Sequence, residues 1–159
     1  MENKFLVIGS NSFSGAHFVN RLLKGDNKVV GVSRSEQPEN VFLPYKWRED
    51  QQNFVFKVID LNHQLDELIQ LIHEFKPSYV VNFAAQGMVA QSWLYPEQWY
   101  QTNVVAQVEF HNQLRKCDFL KKYVHVTTPE AYGSTEGWQK EHFNFAPSTP
   151  YAVSRAACD

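Results

Sequence analysis

Two cysteines among 159 residues, Cys117 and Cys158, are too few for a disulfide framework and stand in no metal-ligand spacing. Such sparing use of thiols fits a reduced compartment. An excess of charge of one sign is also missing. Fifteen basic against 17 acidic residues leave a formal charge of −2, without the basic footprint that nucleic acid or an anionic membrane selects. No apolar run approaches the ~18–20 residues of a membrane span. The first one, Phe5-Leu6-Val7-Ile8, is too short for the core of a signal peptide. The six histidines, His17, His63, His73, His111, His125 and His142, form no close ligand spacing, and no metal site is expected. Repeats, low-complexity tracts and linkers are lacking as well. The expectation is a cytoplasmic protein without nucleic-acid or membrane partners.

Aromatic residues, by contrast, are plentiful. Twelve Phe, 7 Tyr and 4 Trp in a 43% hydrophobic chain supply a packed core and argue against disorder. The length suggests one domain. Phe5 to Ile8 reads as a strand buried on both faces, closed by Gly9. Phe13, Ala16, Val19, Leu22 and Leu23 then recur at helical spacing until Gly25-Asp26. Lys28 to Val32 is a second strand, residues 36–53 a polar loop or short excursion, and Phe54 to Ile59 a third strand. Leu65, Leu68, Ile69, Ile72 and Phe75 mark an amphipathic helix stopped by Pro77. Tyr79 to Phe83 is a fourth strand. Pro96 opens a long helix carrying Trp99, Val104, Val108, Phe110 and Leu114. Tyr123 to Thr127 is a fifth strand behind a solvated Lys121-Lys122, and Tyr151 to Asp159 reads as the start of another helix.

Strands alternating with helices require right-handed crossovers and a parallel sheet covered on both faces. With a tight glycine turn after the first strand, the pattern is an α/β doubly wound parallel sheet, the Rossmann fold. The last helix is cut short, so residues 1–159 read as the dinucleotide-binding domain of a longer protein, truncated before a substrate domain.

Gly9-Ser10-Asn11-Ser12-Phe13-Ser14-Gly15 would aim backbone N–H groups at a pyrophosphate, with Gly9, Ser12, Phe13 and Gly15 as candidate contacts. Ser12 stands where a middle glycine is usual; its hydroxyl can cap the helix. The second strand ends Val32-Ser33-Arg34-Ser35, with no carboxylate for a ribose 2′-hydroxyl until Glu36. Ser33 and Arg34 therefore favour NADP over NAD. Trp93, Tyr95, Trp99 and Tyr100 read as packing at a helix start, with a sugar or nicotinamide pocket as the alternative.

Together with Asp60-Leu61, Asn82-Phe83-Ala84-Ala85, Thr127-Thr128-Pro129-Glu130-Ala131-Tyr132-Gly133 and Pro150-Tyr151-Ala152-Val153-Ser154-Arg155, this order resembles the extended short-chain dehydrogenase/reductase superfamily. Within it, the chain looks most like the nucleoside-diphosphate-sugar 4,6-dehydratases that act on dTDP-glucose or GDP-mannose. The resemblance implies an NAD(P) cofactor, a nucleoside-diphosphate sugar as substrate and a homodimer at full length. It places Asp60 and Leu61 by the adenine, and Ala84 and Ala85 along the cofactor's phosphate and ribose. Asn103 would support the site. Thr128 would hydrogen-bond the sugar 4-hydroxyl, Tyr151 would remove its proton, and Glu130 would remove the C5 proton. Glu130 separates the dehydratases from the epimerases, which lack an acid there.

Two positions depart from the pattern. Arg155 replaces the lysine that both charges the tyrosine's surroundings and binds the nicotinamide ribose, and a planar fork is not a conservative substitute for a compact ammonium. Pro129 replaces the acid of the dTDP-glucose enzymes and donates no proton. These departures leave a second reading open: a non-catalytic dinucleotide-binding or regulatory module. On either reading, the 159-residue chain alone is expected to be inactive, because most of the sugar-nucleotide pocket would lie beyond it.

Overall fold

The structure, a computed structural model, describes residues 3–48 and 52–159. Five strands, β1 (Asn3–Ile8), β2 (Asn27–Ser33), β3 (Phe54–Val58), β4 (Tyr79–Asn82) and β5 (Lys122–His125), form one sheet. Its order is β3-β2-β1-β4-β5, and every neighbouring pair is parallel. The chain works outward from β1 to β3 and then returns to β4 beside β1. Ligands of open parallel sheets bind at the carboxyl ends of strands where the order reverses in this way. The expected doubly wound sheet is present.

By its packing the chain divides into two units, residues up to Ala84 with Phe110–Val126, and Ala85–Glu109 with Thr127–Asp159. The first holds the sheet. Leu6, Val7 and Ile8 of β1 are buried because a central parallel strand is covered on both faces. Helix α1 (Phe13–Leu22) lays Ala16, Val19 and Leu22 on the core with Val7 and Val29. Helix α2 (Leu65–Phe75) buries Leu68 and Ile72, and ends at Lys76 in the left-handed region (φ 51°), just before Pro77. Phe13 corrects the sequence reading. It opens α1 and stays 81% exposed, its ring against His17.

The polar excursion after β2 is more ordered than its composition suggests. Its described part forms two 3₁₀ turns, Asn40–Phe42 and Pro44–Trp47, anchored by fully buried Leu43 and Tyr45. The Tyr45 ring packs on Phe54, and its hydroxyl accepts a hydrogen bond from Gln37 at 2.8 Å. Burial pushes this phenol's pKa up. The rest of the expected loop includes residues 49–51, outside the described residues.

The long helix is not uniform. Helix α3 (Pro96–Tyr100) passes through a π-helical turn at Gln101–Val105 into α4 (Ala106–Leu114). Trp99, Asn103, Ala106, Gln107, Phe110 and Leu114 are buried, whereas Val108 is exposed and Val104 only half-buried. The buried residues keep ordinary helical spacing from Trp99 onward, so the sequence reading of Val104 and Val108 as inward is one position out of phase with Asn103 and Gln107.

Candidate functional site

In the first unit, the β1–α1 turn is shaped by two glycines. Gly9 has φ +76°, and a Cβ there would collide with the Ala84 nitrogen at 2.7 Å. Gly15 lies so close to the Gly9 carbonyl that a Cβ would strike backbone. Both positions therefore need glycine. Ser12 caps α1, its hydroxyl accepting the Gly15 N–H at 3.0 Å. The serine at the middle glycine's place thus has a structural duty that a glycine could not perform.

The turn's donors divide cleanly. The N–H groups of Gly9 and Ser10 go to the Val32 carbonyl at 2.8 and 3.2 Å, and that of Ser12 goes to Gly9. The Asn11 N–H goes to the Ser33 hydroxyl at 3.0 Å. Phe13 and Ser14, the first two residues of α1, have no intrahelical acceptor by helix geometry. They aim two donors, with the positive end of a ten-residue helix, into the space before the turn. At the end of β2, Ser33 is buried and Arg34 exposed.

The other predicted cofactor residues of this unit are placed as follows. Asp60 builds a turn into α2, its carboxylate accepting the Asn62 N–H at 2.8 Å, and Leu61 is buried. The Ala84 N–H donates to the Asn82 side-chain oxygen at 2.9 Å. Asn82 in turn donates to the Tyr123 hydroxyl at 3.1 Å, which also meets His111 at 2.8 Å and His125 at 3.1 Å. Burial lowers the His111 pKa. His111 of α4 and His125 of β5, fourteen positions apart in sequence, meet at the Tyr123 hydroxyl. Among the described residues, no group of three or more His, Cys, Asp or Glu could hold a metal ion.

The second unit carries the predicted proton-transfer residues. Thr128 caps a 3₁₀ turn, Pro129–Tyr132, its hydroxyl accepting the Glu130 N–H at 3.3 Å. Thr128 is buried, while the Glu130 side chain faces solvent. Helix α5 (Pro150–Ala156) is capped by the Thr149 hydroxyl at 3.0 Å from the Ala152 N–H, and packs against that 3₁₀ turn and against α3. It carries Tyr151, half-buried, and Arg155, only 2% exposed. Ala85 is exposed.

Sequence reading missed the supports of Tyr151. The Tyr151 N–H donates to the Ser92 hydroxyl at 3.1 Å, and the Tyr151 carbonyl accepts from Ser154 at 2.7 Å. Asn103, at the π turn, donates to Ser154 at 3.0 Å and brackets Gln86 through both its N–H and its carbonyl. Of the predicted aromatic cluster, only Trp99 is buried, donating its ring N–H to the Gly87 carbonyl at 2.8 Å. Trp93, Tyr95 and Tyr100 are exposed, so general packing of the helix start does not account for them.

A parallel doubly wound sheet with a glycine-shaped turn at β1 defines a nucleotide-binding protein of the Rossmann class. The family model of GDP-mannose 4,6 dehydratase matches residues 6–159, and the chain belongs to that family, within the extended short-chain dehydrogenase/reductases. It is 29% identical over 167 residues to a dTDP-glucose 4,6-dehydratase of Xanthomonas campestris, covering 98% of this chain and 46% of the relative. A UDP-N-acetylglucosamine 4-epimerase of Methanobrevibacter ruminantium, solved with UDP-N-acetylmuramic acid, superposes with TM-score 0.84 at 26% identity, covering 99% of this chain and 49% of the other. A dTDP-glucose 4,6-dehydratase of Bacillus anthracis, solved with NAD, superposes with TM-score 0.79 at 25% identity, covering 98% and 48%. The chain spans about half the length of these relatives. No helix among the described residues is long and apolar enough to cross a membrane.

Proposed function

We propose that the chain holds NAD(P), with NADP favoured, for a nucleoside-diphosphate-sugar 4,6-dehydratase. The observation that carries this reading is the β1–α1 turn. Its two glycines cannot accept a Cβ, and the Phe13 and Ser14 N–H groups open α1 beside it, which suits a pyrophosphate. Arg34, on the segment after β2, would meet an adenosine 2′-phosphate. Relatives solved with NAD and with a UDP-sugar support the ligand classes.

When bound, the dinucleotide supplies a hydride acceptor for C4 of the hexose and a hydride donor for C6. This chain's residues manage protons. Thr128 hydrogen-bonds the sugar 4-hydroxyl, and Tyr151 takes its proton as C4 becomes a ketone. A phenol ordinarily loses its proton near pH 10, so a cation must assist it at neutral pH. Arg155, one helical turn along α5, is that cation. The new ketone acidifies C5–H, and Glu130 takes that proton. Glu130 is the only acid on the Thr127–Gly133 segment, and Pro129 has no proton to give. The C5 proton therefore passes through Glu130 to the departing C6 hydroxyl, which leaves as water. The bound dinucleotide would supply the hydride for C6; Tyr151 releases the 4-hydroxyl proton to solvent and C5 regains one proton, for net loss of one water.

The test is turnover of dTDP-glucose and GDP-mannose by the full-length protein carrying this chain, read as 4-keto-6-deoxy sugar. Tyr151→Phe should abolish the product. Glu130→Gln should stop dehydration while leaving hydride exchange at C4. Dehydration that survives Glu130→Gln unchanged overturns the assignment. Arg155 and Pro129 favour the second reading, a non-catalytic dinucleotide module; dinucleotide binding with neither dehydration nor C4 exchange would establish it.

A further inference from the structure

The Asn11 side chain reaches away from the phosphate turn to the strand-end segment next to it. Its Nδ2 donates to the Ser35 carbonyl at 3.0 Å and to the Glu36 carbonyl at 3.1 Å. Its backbone N–H donates to the Ser33 hydroxyl at 3.0 Å. The amide orientation is fixed by chemistry, because the reverse would point an oxygen at two carbonyl oxygens. Its Oδ1 is buried and accepts no hydrogen bond. A buried, unsatisfied acceptor costs free energy, so both the position and the direction of this side chain are set by the two bonds its nitrogen makes.

Those three bonds enclose residues 33–36, and Arg34 lies between their anchor points. Ser35 and Glu36 are exposed and belong to no strand or helix, between Ser33, paired in β2, and Gln37, bonded to buried Tyr45. Alanine at residue 11 would keep the turn itself, since Gly9 and Ser10 donate to Val32 independently. It would remove the two bonds that hold the Ser35 and Glu36 carbonyls, next to Arg34, to that turn.

We propose that Asn11 is a specificity-determining residue: by clamping Ser33, Ser35 and Glu36 to the phosphate turn, it fixes Arg34 where a 2′-phosphate is read. This rests on the NAD(P) reading above, and its test separates the two. NADPH and NADH are titrated calorimetrically into wild-type protein, Asn11→Ala and Asn11→Asp. The Asp variant keeps the side chain's size but turns the donor into an acceptor facing two carbonyls. Both variants should move the NADPH-to-NADH affinity ratio toward one by about tenfold, equal to about 1.4 kcal/mol, with NADH affinity changed by less than about threefold. Hydrogen exchange at the Ser35 to Gln37 amides should quicken in both variants without ligand. An unchanged ratio, an equal loss of both dinucleotides, or unchanged exchange overturns the role of Asn11. The wild-type ratio alone judges the NADP preference.

Discussion

Asn103 donates its side-chain N–H to the Ser154 hydroxyl at 3.0 Å, and that hydroxyl donates onward to the Tyr151 carbonyl at 2.7 Å. A residue on the π turn is thereby bonded to the first turn of α5. All of Asn103 and Ser154 is buried, and both ends of the Asn103 amide are used. Asn103→Ala leaves the Gln86 N–H and carbonyl without this partner. It should destabilise the protein by about 1–3 kcal/mol, read as a lower urea midpoint. An unchanged midpoint would show that water replaces the amide at no cost.

The histidine cluster predicts a pH dependence. Burial holds the His111 pKa below its ordinary value, so the unfolded chain binds its proton more readily than the folded one. This contribution to stability is complete above about pH 6.5 and declines as pH falls through it. His111→Gln can keep a hydrogen bond to Tyr123 without titrating. Urea midpoints at about pH 7.5 and about pH 5 should therefore differ less in the variant than in the wild type. Equal differences would remove His111 from the account.

Gly15→Ala tests the close approach of α1 to β1. The added methyl meets the Gly9 carbonyl, which is backbone and cannot rotate aside. The expected cost is about 1–3 kcal/mol, together with weaker binding of both dinucleotides alike. Stability and affinity at wild-type levels would mean that the turn relaxes freely.

How much of this was legible in the sequence depended on the range of the interactions. Strands β1, β2 and β4, and helix α2, follow from apolar runs and periodicity, because one face or two is buried regardless of distant partners. Leu43 and Tyr45 were not legible: with Val41, Phe42 and Trp47 they form a short apolar run with no period, and only the docked fold separates the buried pair from its exposed neighbours. The inward face of α3 and α4 was misread at two positions because polar Asn103 and Gln107 occupy it there, while their apolar neighbours Val104 and Val108 lie off it. The turn glycines and Ser12 were legible, since local backbone geometry demands them. Asn11 was not, because its partners Ser35 and Glu36 lie beyond an entire helix and strand. Ser92 and Ser154 escaped for the same reason.

The central claim is that the first unit holds a dinucleotide with its 2′-phosphate on Arg34. Equilibrium titration of the wild-type protein and Arg34→Ala with NADPH and NADH tests it directly. Charge-assisted hydrogen bonds of the arginine–phosphate kind are worth about 1.5–3 kcal/mol. The wild type should bind NADPH more tightly than NADH, Arg34→Ala should lose that advantage, and NADH affinity should stay nearly unchanged. Equal affinities in the wild type, a preference for NADH, or a preference for NADPH that survives the loss of Arg34 would contradict it.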